Sequence, residues 1–488
     1  MSAQIPVVTA EEMARVEQWA VENGADLEAF MAAAGAHVAR AARDVVGPIP
    51  KRIALLVGKG NKGGDSFAAG LELLKAGYSV EALCAVPLAQ CSALSRRFGK
   101  RFEQSGGLFR PLAKEWGEYD LFIDGLLGTG FRGSPDAVME EAIMRANATR
   151  KSIVAIDLPS GLNGASGVAS PHTIQATQTI TLGLPKIGLF LQDGWNYVGK
   201  LRIENIGLSE SAMREAKPVA YVPNPSALEL PTIVRKRHKY QRGFVVGFGG
   251  SEALKGAPKL SALAALHAGS GIVKLFSLEE IGPVADELIC QRFEEKAWNA
   301  ALAKAQAAFI GPGLGRSALA EQWCQKHIAT IQQPCVIDAD ALHFLGKMPA
   351  HALLTPHRGE MSHLLGMKQP DADDATFLRR CQEFVNSRKV VLILKGAPTW
   401  ILAAGKLPTV VPHGDPGMAT AGAGDVLTGI VAALLAQGKE CFDAAVLGVV
   451  LHGLAGEAAA AAKTSYGYTA NDLIASLPLA FKALQRRL

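Results

Sequence analysis

The sequence HGDPGMATAGAGDVLTGI, residues 413–430, joins a glycine-rich loop to the start of an apolar segment. Glycine lets the backbone turn tightly and approach a ligand closely because it has no Cβ. The apolar spacing after Asp425 predicts a buried helix that ends at Gly438. A glycine loop that opens a helix presents unpaired N–H groups and the positive end of the helix dipole. This segment therefore predicts an anion site, most often one for phosphate.

Asp425 lies at the mouth of this predicted helix. A carboxylate is a poor ligand for an anion, but it can take a proton from a hydroxyl while the N–H groups hold an arriving phosphoryl group. The alternative is that Asp425 only caps the helix. The length of the loop and the motifs that accompany it favour the catalytic interpretation.

Length and composition narrow the class of protein. A chain of 488 residues predicts two or three domains, and 49% hydrophobic with 19% charged residues is typical of well-buried globular domains. The formal net charge of +5 suits anionic small molecules and gives no support for a nucleic-acid partner. The basic run at residues 235–239 is interpreted as a solvated domain junction, with a phosphate-facing patch as the alternative.

The cysteines and the apolar segments predict a soluble, cytoplasmic protein. The seven cysteines form no CxxC pair, which is typical of reduced thiols in the cytosol. The first residues carry an acidic pair where a signal peptide needs basic and then apolar residues. The apolar stretch 444–462 is interrupted by His452 and Glu457, so no membrane span is expected. We expect small-molecule partners and a homo-oligomer.

Short apolar runs alternate with predicted helices in the first half, at residues 52–57, 79–86, 120–125 and 152–157. This alternation predicts a parallel sheet covered by helices on both faces. Thr9 and Glu12 predict a capping box that opens a helical region to about Val46. Because ligands of such sheets bind beyond the carboxyl ends of the strands, the loops there are expected to form one site.

Three of these loops carry polar side chains that could act together. They are Asn61, Lys62 and Asp65 in the first loop, Asp124 in the second, and Asp157 with Ser160 in the third. Carboxylates that converge on one rim predict a bound cation or a proton-transfer centre. The alternative is that each carboxylate caps the helix that follows it.

The first loop also satisfies the dinucleotide pattern GxGxxG, with Gly58, Gly60 and Gly63. The pattern expects an acidic residue about twenty positions later, and Glu81 falls inside a predicted strand. The loop is not a Walker loop, because Gly-Asp follows Gly63 where that loop has Lys-Ser/Thr. The pattern alone therefore gives weak support for a dinucleotide-binding domain.

These loops resemble a known family in order and spacing. GKGNKGGD (58–65), DGLLGTGFRGS (124–134) and AIDLPSGL (155–162) are similar to the epimerase domain of NAD(P)H-hydrate repair enzymes. The resemblance implies a Rossmann-like three-layer α/β domain over residues 1–210, with Asp157 as a catalytic residue in contact with the substrate. It implies that the hydrated dinucleotide is bound by Asn61, Lys62, Gly63, Gly64, Asp65, Gly128, Thr129, Gly130, Phe131, Arg132, Gly133 and Ser134. It implies a potassium ion held by Asp124 and Ser160.

Lys62 is a departure from this family, which usually has a second Asn there that helps to hold the potassium ion. An ammonium group cannot ligate a cation, and two cations a few ångströms apart repel each other. We therefore expect the ammonium of Lys62 to replace the ion and to make epimerisation independent of potassium. The alternatives are that Lys62 points to solvent, or that the site only binds.

The second half repeats the alternation of strands and helices after a proline-rich stretch, residues 211–234, that predicts a linker. Six segments resemble the ribokinase-like ADP- or ATP-dependent NAD(P)H-hydrate dehydratases: GFGGS (247–251), GPGLG (311–315), DADAL (338–342), TPHRGEM (355–361), KGAPT (395–399) and GDPGMATAGAGD (414–425). The resemblance implies a ribokinase-like three-layer α/β domain over residues 235–488.

The same resemblance assigns two sets of residues. It implies that ADP or ATP is bound by Lys395, Gly396, Ala397, Pro398, Thr399 and Gly424. It implies that the hydrated dinucleotide faces Ala257, Gly313, His357 and Asp425, although His357 could instead be a buried histidine bonded to backbone. Asp415 stands where the family usually has Asn, so its charge is expected to disfavour phosphate unless a metal or a lysine offsets it.

The chemistry implied by the resemblance is repair of NADH or NADPH that carries water across the 5,6 bond of the nicotinamide ring. Phosphoryl transfer from ADP or ATP, with Mg²⁺, would turn the 6-hydroxyl of the S epimer into a leaving group, and the first domain would interconvert R and S. One alternative is a ribokinase-like kinase for a vitamin precursor. Another is that the first half is a binding module without catalysis.

Overall fold

The structure is a computed structural model that describes residues 4–282, 285–369 and 373–485. The chain divides into two compact units. Pro6–Ala220 form the amino-terminal unit, and Tyr221–Leu488 with Met1–Ile5 form the carboxy-terminal unit. The division falls within the stretch predicted as a linker.

The amino-terminal unit is built on a seven-stranded sheet in which every pair of neighbouring strands is parallel. Its strands are β2 (Arg52–Val57), β3 (Ser79–Cys84), β4 (Leu108–Pro111), β5 (Leu121–Gly125), β6 (Ser152–Ile156), β7 (Gln178–Leu182) and β8 (Lys200–Glu204), whereas β1 (Gln4–Val7) belongs to the sheet of the carboxy-terminal unit. The sheet order is β4-β3-β2-β5-β6-β7-β8. The order in which strands are added to the sheet reverses between β2 and β5. This topological switch point places a crevice for ligands at the carboxyl ends of these two strands.

Seven helices accompany this sheet. They are α1 (Ala10–Glu22), α2 (Leu27–Val46), α3 (Asn61–Lys75), α4 (Ala93–Gln104), α5 (Ala137–Ala148), α6 (Gly194–Val198) and α7 (Glu210–Glu215). The expected helical region to Val46 is confirmed as two helices, because Gly24 has a φ of 94° and the side chain of Asp26 caps α2 by accepting the N–H of Glu28. The capping box is only half formed. The Thr9 hydroxyl accepts the N–H of Glu12, whereas the Glu12 carboxylate bonds to other groups.

The carboxy-terminal unit contains a longer mixed sheet. Its strands are β9 (Ala220–Pro223), β10 (Phe244–Phe248), β11 (Ile272–Ser277), β12 (Ile289–Arg292), β13 (Ala307–Ile310), β14 (Cys335–Ile337), β15 (Ala352–Leu354), β16 (Val391–Leu394), β17 (Thr399–Ala403) and β18 (Thr409–Val411). The order β18-β17-β16-β15-β14-β13-β10-β11-β12 places the change of direction between β10 and β13. Neighbouring strands are parallel along the sheet from β12 to β16, and the pairs β16–β17 and β17–β18 are antiparallel.

The described residues of this unit form eight helices. They are α8 (Gly256–His267), α9 (Glu295–Leu302), α10 (Ala318–His327), α11 (Arg358–Leu364), α12 (Asp374–Arg388), α13 (Ala423–Ala436), α14 (Cys441–Lys463) and α15 (Ala470–Gln485). Helix α14 is long and apolar enough to cross a membrane by length and composition, but 78% of its most apolar window is buried inside the protein. It is a core helix, packed against α13 and α15.

The predicted linker is partly structured. Residues 211–234 contain most of α7, strand β9 and a short 3-10 turn at Pro225–Ala227. Tyr221 in β9 pairs with Thr409 in β18. The prolines of this stretch lie at or outside the ends of these elements, where a missing N–H breaks no ladder.

Candidate functional sites

The loops after β2 and β5 meet at the predicted crevice and line a pocket of about 480 Å³ in the amino-terminal unit. Helix α3 begins at Asn61 without a side-chain cap, so its first N–H groups are left for the pocket. Nine of the predicted residues or their close neighbours contribute to the pocket wall: Gly60, Asn61, Lys62, Asp65, Gly128, Thr129, Gly130, Phe131 and Asp157. The structure therefore brings the three predicted loops together.

Asp157 lies at the bottom of this pocket and is 2% exposed. Its φ of 68° is a left-handed conformation that a residue with a side chain rarely adopts. One carboxylate oxygen accepts bonds from the buried ammonium of Lys186, from Thr181 and from the N–H of Leu182. The other oxygen lies 3.1 Å from the ammonium of Lys62.

This arrangement fixes the charge of Asp157. Burial acts to raise the pKa of Asp157, but the ammonium groups of Lys186 and Lys62 lower it well below its usual range. The carboxylate of Asp157 is therefore ionised at every physiological pH. Its ion pairs with the two lysines are hard to break. Such a group suits holding charges in place better than taking up and giving back a proton.

Lys62 reaches into the rim and does not point to solvent. Its ammonium lies 3.1 Å from Asp157 and 3.5 Å from Asp65, with 17% of the side chain exposed. Burial acts to lower the pKa of Lys62, and the nearby carboxylates raise it, so the lysine stays charged. Burial raises the pKa of Asp65 to about 6, with Lys62 opposing the shift.

Asp124 has a separate environment with neutral partners only. It is fully buried at the end of β5, and its oxygens accept the N–H and the hydroxyl of Ser160, at 2.8 and 2.6 Å, and the N–H of Leu126. Burial raises the pKa of Asp124 to about 6. A buried carboxylate without a charged partner suits a proton or a bound cation, so Asp124 and Ser160 fit the potassium ion implied by the resemblance.

Lys62 does not occupy this cation position. Its ammonium contacts Asp157 and Asp65, whereas the contacts of Asp124 are with Ser160 and Leu126. The expectation that the ammonium takes the place of the ion on Asp124 therefore finds no support in the geometry. The ammonium of Lys62 neutralises Asp157 and Asp65, and a potassium ion would neutralise Asp124.

The other predicted residues of this rim lie outside the pocket wall. Gly63 and Gly64 are buried beneath it, and a Cβ on Gly63 would lie 2.2 Å from the carbonyl oxygen of Gly58. Arg132 bonds to Glu11 and to two carbonyls of its own loop. Gly133 and Ser134 are exposed.

The GxGxxG pattern has a packing explanation. A Cβ on Gly58 would lie 1.9 Å from the carbonyl oxygen of Leu126, so the loop after β2 can approach the loop after β5 only without a side chain there. Glu81 lies in β3 and is bonded to Tyr119 and Arg110. It is therefore not available to a ribose.

The carboxy-terminal unit forms a second site around the start of α13. The helix begins at Ala423, and Gly422 before it has a φ of 90°, which favours glycine. Gly438 after the helix has a φ of 88°, so the predicted helix and its end are confirmed. Asp425 lies in the first turn, and its Oδ2 would be 4.0 Å from a Cβ on Gly422. The carboxylate therefore lies beside the N-terminal turn of α13, in which the N–H of Ala423 bonds to the Thr420 carbonyl at 3.3 Å.

Asp425 has no hydrogen bond or ion pair within the described ranges of the chain. Burial and the negative charge of Asp338 raise the pKa of Asp425 to about 7, although Lys395 opposes the shift. A carboxylate with this pKa can accept a proton and release it again near neutral pH. That property distinguishes a general base from a capping residue.

Lys395 is directed to Asp338 rather than to Asp425. Its ammonium lies 2.8 Å from Asp338 and 3.8 Å from Glu360. The second oxygen of Asp338 accepts the hydroxyl of Thr428 at 2.7 Å, and Thr428 lies one turn after Asp425 on α13. This chain of contacts fixes the lysine beside the glycine loop, where a Cβ on Gly424 would lie 3.3 Å from its ammonium nitrogen.

The nucleotide loop and His357 lie next to this lysine. Lys395 and His357 are paired in an isolated bridge, and the Lys395 N–H donates to Pro356. Gly396, Ala397 and Pro398 form a turn that the Thr399 hydroxyl closes onto the Gly396 carbonyl at 2.9 Å. The alternative of a buried His357 is wrong in part. The side chain is 60% exposed, but its Nδ1 accepts the N–H groups of Gly359 and Glu360 and caps α11.

Ala257 and Gly313 contact each other near the point between β10 and β13 where the strand order reverses. A Cβ on Gly313 would lie 3.2 Å from the Cβ of Ala257. Helix α8, which carries Ala257, packs closely on α13, where a Cβ on Gly429 would lie 2.0 Å from the Ser261 carbonyl oxygen. The two predicted substrate residues are thus tied to the helix of Asp425.

The carboxylate of Asp415 is stabilised by hydrogen bonds from neutral donors. The carboxylate accepts the N–H of Gly417 at 2.8 Å, the hydroxyl of Ser465 at 2.8 Å and the hydroxyl of Tyr468 at 3.0 Å. Within the described residues, no lysine is among these partners. Asp415 holds the loop to the segment before α15.

The sequence analysis missed several functional candidates. Asp338 follows β14 as Asp157 follows β6, so the logic of strand ends could have found it. Thr428 shares a helix face with Asp425, which its spacing of three residues indicates. Lys186 and Glu17 have no local signal, because they reach the pocket region only through the order of strands and helices.

The comparisons with known proteins cover both units. Residues 245–479 match the family described as NAD(P)H-hydrate dehydratase, and residues 27–188 match the family described as YjeF-related protein N-terminus. The bifunctional NAD(P)H-hydrate repair enzyme of Moorella thermoacetica is 32% identical over 89% of this chain and 88% of its own length. The same enzyme of Coxiella burnetii is 32% identical over 96% of this chain and 97% of its own length.

A solved structure is similar to the carboxy-terminal unit. The ADP/ATP-dependent NAD(P)H-hydrate dehydratase from Bacillus subtilis, co-crystallised with ATP and Mg²⁺, is 26% identical. The match covers 53% of this chain and 96% of that chain, with a TM-score of 0.46.

The relatives are named bifunctional NAD(P)H-hydrate repair enzymes and span both units of this chain. The predicted resemblance and the predicted fold class, two α/β domains on largely parallel sheets, are confirmed. The order of the two matched segments also agrees with the division of the chain. The chain belongs to the family of bifunctional NAD(P)H-hydrate repair enzymes.

Proposed function

We propose that the chain interconverts the R and S hydrates of NADH and NADPH in its amino-terminal unit, residues 1–210, and dehydrates the S hydrate in residues 235–488. The observation that carries the proposal is Asp425, an unpaired carboxylate with a pKa of about 7 beside the glycine loop. A kinase for a vitamin precursor is not favoured, because the relatives above 30% identity are repair enzymes over both units.

Dehydration needs a better leaving group than hydroxide. Asp425 takes the proton of the 6-hydroxyl while the hydroxyl oxygen attacks the terminal phosphorus of the nucleotide. The anhydride bond to that phosphorus breaks, and the nucleotide leaves with one phosphate fewer. The N–H groups at Gly422–Gly424 hold the phosphoryl oxygens. The C6–O bond then breaks, phosphate departs with the bonding electrons, and the ring nitrogen lone pair forms a double bond to C6. Loss of a proton from C5 restores the dihydronicotinamide.

The nucleotide belongs beside Lys395. The ammonium is held by Asp338 and stays charged: burial acts to lower its pKa, but the carboxylates raise it. We assign ADP or ATP to residues 395–399 and Gly424, and the hydrated dinucleotide to Ala257, Gly313, His357 and Asp425. No group of three or more His, Cys, Asp or Glu side chains that could hold a metal occurs in the described residues. Mg²⁺ would therefore be bound largely through the phosphates of the nucleotide.

The pocket of the amino-terminal unit suits the epimerisation substrate. The first turn of α3 and the loop 128–131 provide N–H groups on one side, and Asp157 lies at the bottom between two ammonium groups. We assign to Asp157 the binding and orientation of the ring rather than proton exchange. A potassium ion on Asp124 and Ser160 would supply the positive charge that the neutral partners of this carboxylate do not. We further propose a cytoplasmic homo-oligomer.

The test is turnover of a mixture of R and S hydrates with ADP or ATP. We expect the complete mixture to be converted to reduced dinucleotide with one free phosphate for each molecule. A stable phosphorylated product would indicate a kinase instead. Conversion that stops when the S hydrate is consumed would remove the epimerase function and leave the dehydratase.

Two variants, one in each unit, test where the nucleotide binds. Gly60→Ala is sterically free, because a Cβ there has no atom within 4 Å, and it should leave nucleotide affinity unchanged. Lys395→Met removes the cation of the second site and should weaken nucleotide binding by at least tenfold, since a charged hydrogen bond contributes about 1.5–3 kcal/mol. Nucleotide binding that is lost in Gly60→Ala and kept in Lys395→Met would contradict the assignment.

A further inference from the structure

One carboxylate of the amino-terminal pocket has no role in the reaction so far. Glu17 lies on α1 and lines the same pocket as Lys62, Asp65 and Asp157. It precedes residues 27–188, the segment that matches the family. Its neighbours on the helix face, Met13 and Ala14, also line the pocket, so this face of α1 is part of the wall.

Glu17 differs from the other two pocket carboxylates in its partners. Asp65 and Asp157 both form ion pairs with Lys62. Within residues 4–282, 285–369 and 373–485, Glu17 takes part in no hydrogen bond or ion pair. Burial raises the pKa of Glu17, and the positive charges of Lys186 and Lys62 reduce this shift without cancelling it. Glu17 therefore keeps its proton to a higher pH than an ordinary glutamic acid does.

Epimerisation at C6 needs a group that gives up a proton and regains it in each cycle. The hydroxyl must leave as water from one face, and water must return from the other face. Asp157 is held by two ammonium groups and is poorly suited to this exchange. Asp65 forms an ion pair with Lys62, which also pairs with Asp157. A pocket carboxylate that is free of ion pairs meets the requirement better.

Resting on the proposed function, we infer that Glu17 is the proton-transferring residue of the epimerisation pocket. Its carboxyl gives a proton to the C6 hydroxyl oxygen, and the C6–O bond breaks with its electron pair leaving on water. The ring nitrogen lone pair forms a double bond to C6. Solvent water then adds to C6 from the opposite face as that electron pair returns to nitrogen, and the proton released by this water restores Glu17.

The role of Asp157 and Lys62 follows from this assignment. The ionised Asp157 at the bottom of the pocket stabilises the positive charge that develops on the ring when water leaves. Lys62 and Lys186 hold that carboxylate in place. Glu17 transfers the proton, and the negative charge of Asp157 stabilises the positively charged ring.

The test compares Glu17→Gln with Glu22→Gln, a matched change on the exposed end of the same helix. R-to-S conversion is measured as kcat and KM, and dehydration of pure S hydrate by the same chain is the internal control. We expect Glu17→Gln to lower kcat for epimerisation by roughly 10²–10⁴ with KM within threefold, as loss of a general acid does. Glu17→Asp should keep part of the activity, and dehydration and Glu22→Gln should be unchanged.

A second measurement uses the unaltered chain and does not depend on the folding of a variant. Epimerisation in ¹⁸O-labelled water should place one labelled oxygen at C6 for each inversion. Retention of the original oxygen would overturn the proposed bond breaking. Near-normal kcat in Glu17→Gln, or an effect on KM alone, would overturn the role of Glu17 while leaving the epimerase function intact. An unaltered chain that dehydrates S but never converts R would overturn both.

Discussion

Asp157 is a buried and Asp425 a half-buried carboxylate, both in glycine-rich sites, yet their surroundings give them opposite properties. Asp157 contacts the ammonium groups of Lys186 and Lys62, which lower its pKa. Among the residues that the structure describes, Asp425 contacts no cation, because Lys395 is paired with Asp338, and the pKa of Asp425 rises to about 7. Burial is common to both sites. The position of the nearest lysine therefore decides whether a buried carboxylate holds charge or exchanges protons.

The largest effect is expected at the unpaired carboxylate. Asp425→Asn removes the base and should lower the rate of dehydration by roughly 10²–10⁴ while nucleotide binding is kept. Initial rates and nucleotide titrations measure the two quantities. The matched control is Asp443→Asn, an exposed residue in the first turn of α14, which should behave as the unaltered chain does. Normal turnover in Asp425→Asn would remove this residue from catalysis.

The pKa of Asp425 also predicts two pH dependences. Its base form is needed, so dehydration should rise with pH through about 7. Its pKa in the folded chain is raised, so the folded state binds more protons than the unfolded state between the ordinary aspartate range and pH 7. Stability from this group therefore falls as pH rises through that window. Thermal unfolding at pH 8 should show Asp425→Asn to be the more stable chain, and an equal or lower midpoint would contradict the raised pKa.

The second largest effect is expected on the free energy of unfolding when an ion pair of Asp157 is removed. Lys186 is 1% exposed, and Lys186→Met leaves the buried Asp157 with one of its two ammonium partners, Lys62. Breaking a buried pair from one side costs about 3–5 kcal/mol of unfolding free energy. Denaturant unfolding of the amino-terminal unit measures this loss. Lys200→Met, an exposed lysine on β8, is the control. Equal stability of the two variants would show that Lys186 does not hold Asp157.

A smaller effect should separate Lys62 from the potassium position. Asp124 has neutral partners, and Lys62 pairs with Asp157 and Asp65. We expect KCl, compared with NaCl, to stabilise both the unaltered chain and Lys62→Asn, by on the order of 1 kcal/mol at a tenfold excess over Kd. Asp124→Asn should lose the difference. A salt difference found only in Lys62→Asn would mean that the lysine does replace the ion.

The smallest effect is expected at Asp415. Its carboxylate accepts bonds from Gly417, Ser465 and Tyr468, so it is neither free like Asp425 nor paired with a cation like Asp157. Asp415→Asn loses at most one of these bonds, at a cost of about 1–3 kcal/mol in stability. Dehydration at saturating nucleotide should change less than threefold. A large gain in nucleotide affinity would show that the charge of Asp415 disfavours phosphate after all.

Much of the architecture could be predicted because its signals are local. Apolar runs followed by glycine loops mark the strands β2, β5 and β6 and the loops at their ends. The glycines at Gly58 and Gly422 are required by close backbone approach and by a left-handed turn, both of which depend on a few neighbouring residues. The helix after Asp425 follows from its apolar composition.

The sequence by itself determined two α/β units, their glycine loops and the carboxylates that face them. Only the tertiary structure decided which lysine neutralises which carboxylate. Lys186 reaches Asp157 across 29 residues, and Lys395 reaches Asp338 across 57. These contacts depend on β7 lying beside β6 and on the β16 end lying near that of β14. Electrostatic interactions act through space, so the pKa of each carboxylate follows from the strand order and not from its neighbours in the chain.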